Sequence, residues 1–414
     1  MNRRSFLKYS AGVLGLMAFF ETADCKSEVL ASLKGTNSFS AIKGIEVLAA
    51  IPIGYLDPFY ESDISEHTII RARRFLEKLD GLRMENQTKS NRLFQSRNNS
   101  FVSTCNFIDR FNELSNKNYK IAAHALLWDH NGVISESEPR MKEIKYNGTR
   151  EEKRKFILDY VFKALKKVTE CESVKSIDIL NEILVLHGEE IPFGHKGIPI
   201  RGFDNGKGLI PDIETIALVY KKATERYPKI EFILNLVNTL PKDHKGASRK
   251  RKYVIKTLKK FKELMGTSKL PTIGLQAHFI MSVEEALLQL DSSIISGFIS
   301  QVHELGFEVE ISEFDFLSNS LDKSLRFINA FFNTLRGTRI RRFCFWHFET
   351  PSRGWIKEKL EKVYGAGARN KALPGDISND LRYRHLRGTA AEFTMRNPLY
   401  KAYFEGLLSS QLGV

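Results

Sequence analysis

Eight short apolar, β-rich runs follow one another between residues 45 and 348, each divided from the next by a longer stretch. They lie at 45–51, 79–84, 121–128, 176–183, 231–236, 271–279, 307–316 and 342–348. Runs this short and apolar suit strands buried on both faces, as in a parallel sheet covered by helices. The stretches between them carry helical periodicity. Ile69, Ala72, Phe75, Leu76 and Leu79 form one apolar stripe. Phe156, Ile157, Tyr160, Val161, Ala164, Leu165 and Val168 form another. Further helices are expected over 212–227, 248–265, 283–299 and 321–336, with a closing one near 397–408. Eight β/α units in a row predict an α/β fold, a closed (β/α)8 TIM barrel in a single domain spanning 40–412. An open doubly wound sheet is the alternative, but no Gly-rich phosphate loop follows the first run.

A chain of 414 residues, 42% of them hydrophobic, can bury the core that such a barrel needs. Ahead of it, Arg3-Arg4-Ser5-Phe6-Leu7-Lys8 opens onto an apolar run ending at Phe20. This is the pattern of a twin-arginine export signal over residues 1–30, and the run is shorter than the roughly 20 residues a spanning helix requires. A periplasmic or secreted bacterial protein is therefore expected, touching the membrane only through that signal; an uncleaved anchor is the alternative. The net charge of +14 suits a solvated surface, or attraction to an acidic polysaccharide or anionic envelope. No stacking-aromatic motif accompanies it, so nucleic acid is not the expected partner, and a monomer is. Cys105 should begin one helix and Cys171 end the next. That arrangement places them at opposite rims, more than about 10 Å apart, and argues against a structural disulfide. No cysteine spacing suggests a zinc site.

In a β/α barrel the chemistry gathers at the C-terminal ends of the strands. Here those ends are polar and aromatic. The third run ends in His124-Ala-Leu-Leu-Trp128-Asp129, and the fourth in Asp178-Ile-Leu-Asn181-Glu182. The sixth ends in Gln276-Ala-His278, the seventh in Glu310-Ile-Ser-Glu313-Phe-Asp315 and the eighth in Trp346-His347. Glu182 and Glu313, on roughly opposite sides of the barrel mouth, are the carboxylate pair that hydrolysis of a glycosidic bond requires. One is to be held protonated and the other ionised, with the two about 5–5.5 Å apart if configuration is retained.

These motifs resemble glycoside hydrolase family 10, the β-1,4-xylanases. Asp178-Ile-Leu-Asn181-Glu182 is similar to that family's acid/base motif, and Ile311-Ser-Glu313-Phe-Asp315 to its nucleophile motif. Gly274-Leu-Gln276-Ala-His278, His124-Ala-Leu-Leu-Trp128 and Glu85-Asn86-Gln-Thr-Lys89 resemble its strand-six, strand-three and strand-two segments. Phe345-Trp346 with Trp355 resembles its last paired tryptophans, and Asn397-Pro398 through Tyr403 its closing helix. The resemblance implies a retaining endo-acting hydrolase of xylan working by double displacement without a cofactor. Glu182 would be the acid/base and Glu313 the nucleophile. It further implies that Asn181 holds the 2-hydroxyl and that His278 and Asp315 tune Glu313. Asn86, Lys89, His124 and Gln276 would bind hydroxyls, while Trp128, Trp346 and Trp355 would form apolar walls.

Several positions depart from the family pattern. Asp129 stands where His is usual, Ser90 where Trp is usual, and His347 where Gly is usual; Asn235-Leu-Val-Asn238 lacks the usual Asp and Tyr. Two insertions, 187–210 and 364–393, should lie on the catalytic face. These changes leave two alternatives open: the same mechanism acting on a bacterial exopolysaccharide or other β-1,4-glycan, and a barrel that binds glycan without cleaving it.

Overall fold

The computed structural model describes residues 45–51, 79–84, 87–89, 93–94, 100–115, 118–129, 139–184, 208–243, 246–316 and 321–346. Its strands are β1 (Glu46–Ile51), β2 (Gly81–Met84), β3 (Lys120–Ala123), β4 (Leu127–Trp128) and β5 (Val174–Asn181). Then come β6 (Glu231–Leu236), β7 (Thr272–Phe279), β8 (Val309–Phe316) and β9 (Arg342–Phe345). Every pairing is parallel. β1 lies between β2 and β9, while β3 and β4 both pair with β5, so they are two pieces of one stave. Eight staves thus close on themselves, the (β/α)8 barrel that the alternation of runs predicts.

The helices are α1 (Ser100–Ser115), α2 (Pro139–Asn147), α3 (Arg150–Val168), α4 (Ile213–Arg226), α5 (Ala247–Met265), α6 (Val283–Gln289), α7 (Ser292–Glu304) and α8 (Leu321–Thr334). Local chemistry marks their starts. Thr149 accepts the Glu152 N–H, and the Glu152 carboxylate accepts the Thr149 N–H, a reciprocal cap of about 1 kcal/mol at the start of α3. Asp212 caps α4 through the Thr215 N–H. The main core lies between staves and helices. On one side Phe314 and Phe316 of β8 and Phe279 of β7 meet Phe327 and Phe331 of α8, with Phe314 and Phe331 ring centres 4.5 Å apart. Each such ring contributes roughly 1.5–3 kcal/mol on burial. Among the described residues, no helix is long and apolar enough to cross a membrane.

Three local expectations need correction. The third run is not one strand: β3 stops at Ala123 and pairing resumes at Leu127, with a cis peptide between His124 and Ala125. The span 283–299 holds two helices, because Leu290 is extended and the Asp291 side chain opens α7 by accepting the Ile294 N–H. Cys105 and Cys171 are not at opposite rims: their thiols hydrogen-bond each other. The expectation took neighbouring helices as level along the barrel axis. Instead α1 sits alongside the turn that follows α3, where its Asp109 and Asn112 both bond Ser173. The export signal, the stripe at 69–78 and the helix near 397–408 lie outside the described residues, as does the insertion 364–393.

The barrel interior departs most from expectation. Branched apolar side chains commonly fill such a barrel. Here a small apolar group, Leu48, Ala50, Ala122, Cys344 and Trp346, shares the interior with a ladder of buried charges. At the lower end, Arg342 reaches Glu46, Glu231 and Glu310, the last at 2.6 Å. One layer up, Arg83 holds both carboxylate oxygens of Asp178 at 3.0–3.1 Å, Glu310 at 3.0 Å and the Ser312 carbonyl at 3.0 Å. Asp178 in turn meets His124 Nδ1 at 2.6 Å. The ladder ends at the catalytic face.

Candidate active site

β5 and β8 deliver the two glutamates. Pairing along β5 ends at Asn181, and Glu182 turns out of the strand with a left-handed backbone, φ 56°, its N–H given to the Asn235 carbonyl. A non-glycine residue held this way costs on the order of 1 kcal/mol, an expense found most often at functional positions. Glu313 lies within β8, opposite Gln276 of β7. Both side chains are buried, Glu182 to 6% exposure and Glu313 to 1%.

A relay of amides joins them. Gln276 Nε2 donates to Glu182 Oε1 at 2.9 Å and reaches Asn181 Oδ1 at 3.3 Å. Asn235 Nδ2 donates to Asn181 Oδ1 at 2.9 Å and to Glu313 Oε1 at 2.6 Å. With two donors on its oxygen, the Asn181 amide is oriented so that its nitrogen points away from them. Asn235 is itself seated by Ser312, whose hydroxyl donates to Asn235 Oδ1 at 2.5 Å. Gly274 makes this possible, since a Cβ there would stand 2.7 Å from that same oxygen.

The other contacts differ between the two carboxylates. Glu182 Oε2 accepts the Trp128 indole N–H at 3.1 Å. Glu313 Oε2 meets His278 Nε2 at 3.0 Å, and His278 Nδ1 meets Asp315 at 2.7 Å. His124 Nε2 lies 3.9 Å from Glu313 Oε1. Burial pulls the His278 imidazole toward neutrality, but Asp315 and Glu313 outweigh it and hold it protonated up to about 10. Burial likewise raises Glu313, yet His124, His278 and Arg83 together bring it down to about 2. At Glu182 the His278 charge and the Gln276 and Trp128 hydrogen bonds pull the same way but are outweighed. Burial, reinforced by the charge of Glu313, pushes it up to about 7. One carboxylate is thus protonated near neutral pH while its partner is ionised, the division of labour that acid-assisted displacement needs.

The structure brings most of the expected site residues into this cluster. Lys89 stands over the Trp128 ring, 5.0 Å from its centre. Trp346 is buried, edge-on to both His124 and His278. Asn86 and Trp355 lie outside the described residues. Asp129, the departure beside Trp128, pairs with the wholly buried Lys145 at 2.6 Å and accepts the Leu209 N–H at 2.7 Å. It therefore fastens the far root of the 187–210 insertion to the catalytic rim. Sequence reasoning missed the supporting roles of Asn235, Ser312 and Arg83. An Asn within Phe-Ile-Leu-Asn-Leu, and an Arg within the apolar run Leu-Arg-Met, were the signals available.

No curated protein matches the sequence. The structure is similar to xylanase 10B from Thermotoga maritima, with 18% identity, a TM-score of 0.59, and 89% of this chain and 96% of that one covered. It is similar to a family 10 endoxylanase retrieved from a sugarcane soil metagenome, with 14% identity, a TM-score of 0.59, and 87% and 97% covered. It is also similar to xylanase 10B from Thermotoga petrophila in complex with xylobiose, with 18% identity, a TM-score of 0.55, and 89% and 97% covered. At these identities the likeness speaks for the fold. The model of glycosyl hydrolase family 10 matches residues 60–373, well over half of the sequence, and the chain belongs to that family.

Proposed function

We propose that this glycoside hydrolase is an endo-acting β-1,4-xylanase that retains anomeric configuration, with Glu182 as acid/base and Glu313 as nucleophile. The observation that carries the reading is the split between two buried, hydrogen-bonded carboxyls, one near 7 and the other near 2. Glu182 gives its proton to the glycosidic oxygen while Glu313 attacks the anomeric carbon, and the bond to the leaving sugar breaks. Glu182, now ionised, takes a proton from water; that water attacks the same carbon and releases Glu313. The Asn181 amide nitrogen, oriented by its neighbours, serves the 2-hydroxyl. Gln276 Oε1 is buried with no hydrogen-bond partner among the described residues, and it serves as an acceptor for a sugar hydroxyl. Lys89 and His124 bind further hydroxyls, and Trp128 and Trp346 wall the sugar.

Xylan is favoured as substrate because the similar structures include a Cellvibrio japonicus xylanase in complex with xylopentaose. A second reading, another β-1,4-glycan, draws on Asp129, whose ion pair with Lys145 gives the rim a lining the family does not usually have. The test is digestion of plain xylan, glucuronate-substituted xylan and a bacterial exopolysaccharide, with products read by mass and the new anomer by NMR. Short xylo-oligosaccharides released first as the β-anomer support the proposal. Release first as the α-anomer would remove the retaining mechanism, and products from exopolysaccharide alone would move the substrate to the second reading. Export through the Arg3-Arg4 signal is part of the same proposal, and its loss on Arg3→Lys/Arg4→Lys in a bacterial host would be the check.

Two further results follow from the titration of the pair. The free enzyme needs Glu313 ionised and Glu182 protonated, so kcat/KM should rise through about 2 and fall through about 7. A basic limb that stays in place in Glu182→Gln would assign it to another group. Stability should follow the raised carboxyl too. Between its ordinary value of 4.5 and about 7, folded Glu182 keeps a proton that the unfolded chain releases, so stability falls as pH rises across that window. The loss amounts to about 3 kcal/mol. Glu182→Gln should therefore be more stable than the parent at pH 8 and equal to it at pH 4. Denaturant unfolding at the two pH values measures this, and an equal advantage at both would refute it.

A further inference from the structure

We infer that Cys105 and Cys171 are a covalent modification site: the two thiols close to a disulfide under oxidising conditions and staple α1 to the turn that enters β5. Cys105 is the sixth residue of α1, and Cys171 sits between the end of α3 and Val174. Both are buried, at 5% and 6% exposure, and their side chains hydrogen-bond each other. The register that brings them together is held independently. Asp109 and Asn112 share the face of α1 that carries Cys105, spaced four and seven residues on, and both bond the Ser173 hydroxyl. Asn112 also exchanges two hydrogen bonds with the Tyr119 backbone, at 2.6 and 3.1 Å. The Cys171 backbone is held at both ends, its N–H on the Val168 carbonyl and its carbonyl on the Val174 N–H.

The surroundings make the two sulfurs unequal. The hydrogen bond from Cys105, helped by the N–H groups of Ser173 and Val174, lowers Cys171 against the effect of its burial. Cys105, the donor of that bond and also buried, is raised. Cys171 is thus the nucleophile and Cys105 the resolving thiol. With a small-molecule disulfide as oxidant, Cys171 Sγ attacks one of its sulfurs, forming a mixed disulfide and expelling one thiolate. Cys105 then loses its proton to solvent and attacks Cys171 Sγ, expelling the second. Two protein thiols lose two electrons and two protons, and the oxidant becomes two thiols. Cys344 has no part in this. It lies inside the barrel beside Leu48 and Ala122, and burial pushes its thiol up.

The staple would enclose about 65 residues, including β3, β4 and α3, and would fix the flank of the β3–β5 junction. The experiment treats the purified full chain with oxidised glutathione or with a reductant, then blocks free thiols in denaturant and maps peptides by mass. The expected result is one bridge linking the Cys105 and Cys171 peptides, two fewer free thiols, and a Tm about 5 °C higher in the oxidised protein. Cys105→Ala and Cys171→Ala should each lose both the bridge and the redox dependence of Tm. If either variant fails to fold, the wild-type peptide map decides alone. A full complement of thiols after prolonged oxidation would overturn the inference, as would a bridge that joins Cys25 or Cys344.

Discussion

Glu313→Ala should lower kcat on polymer by on the order of 10⁵-fold while leaving the protein folded and able to bind glycan. Two features of the site set that size. Glu313 is buried, and it is held ionised by His124, His278 and Arg83. A side chain that only bound substrate would raise KM instead. Glu182→Ala should show a different fault. A substrate with a good leaving group needs no proton from the enzyme, so the first step should survive and the glycosyl-enzyme should accumulate for want of a base. Adding azide should restore turnover in both variants but give opposite anomers of the glycosyl azide. The β-azide is expected from Glu182→Ala, by attack on the intermediate, and the α-azide from Glu313→Ala, by direct displacement. The same anomer from both would exclude the assignment of roles. A Glu313→Ala enzyme within tenfold of wild type would exclude Glu313 as nucleophile.

Arg83→Met should cost about 3–5 kcal/mol of stability, although Arg83 touches no substrate. The guanidinium is wholly buried and is the cation for both oxygens of Asp178 as well as for one oxygen of Glu310. Removing it leaves Asp178 with His124 as its remaining partner among the described residues, in a medium that solvates an anion poorly. Arg83→Lys should recover only part of the loss, because an ammonium cannot span Asp178, Glu310 and the Ser312 carbonyl at once. Neutralising an anion together with the cation, as in Arg83→Met/Glu310→Gln, should be milder than the single change. The acid limb of the pH profile should also move upward, since Arg83 is one of the groups that lower Glu313. Chemical denaturation and a pH–rate profile measure the two effects. A loss under 1 kcal/mol would show that the ladder is not stabilising in the way its geometry suggests.

How far this could be read from sequence depends on how local each signal is. The eight staves were legible because burial on both faces leaves short apolar runs, and the strand ends stood out because chemistry needs polar groups where the pattern demands none. What was missed needs contacts distant in sequence. Periodicity across 283–299 does not register the break at Leu290, because Asp291 reads as an ordinary polar residue until its side chain meets the Ile294 N–H. The place of Asn235 beneath Glu313 depends on Ser312, 77 positions away, and on the space left by Gly274. Arg83 is a single charge in an apolar run, and nothing nearby in sequence points to its partners, which lie 95 and 227 positions along the chain. The cysteine pair was misjudged for want of one quantity, the height of α1 along the barrel axis.

The ion pairs inside the barrel also bear on the order in which it can assemble. Some join staves of the first half of the chain: the wholly buried Arg83 to Asp178 and, partly exposed to solvent, Lys120 to Glu46. Others join staves of the second half: Arg342 to Glu310 and to Glu231. Among the described residues, Arg83 to Glu310, Arg342 to Glu46 and the longer His124–Glu313 pair cross between the halves. Either half can therefore collapse with its interior cations already matched to anions. Long-range closure, the slow step for a chain whose ends must meet across nearly 300 residues, then strands no charge in a dry interior. The distribution of charge leaves open a route through two half-barrels that dock last along the β5–β6 and β9–β1 seams.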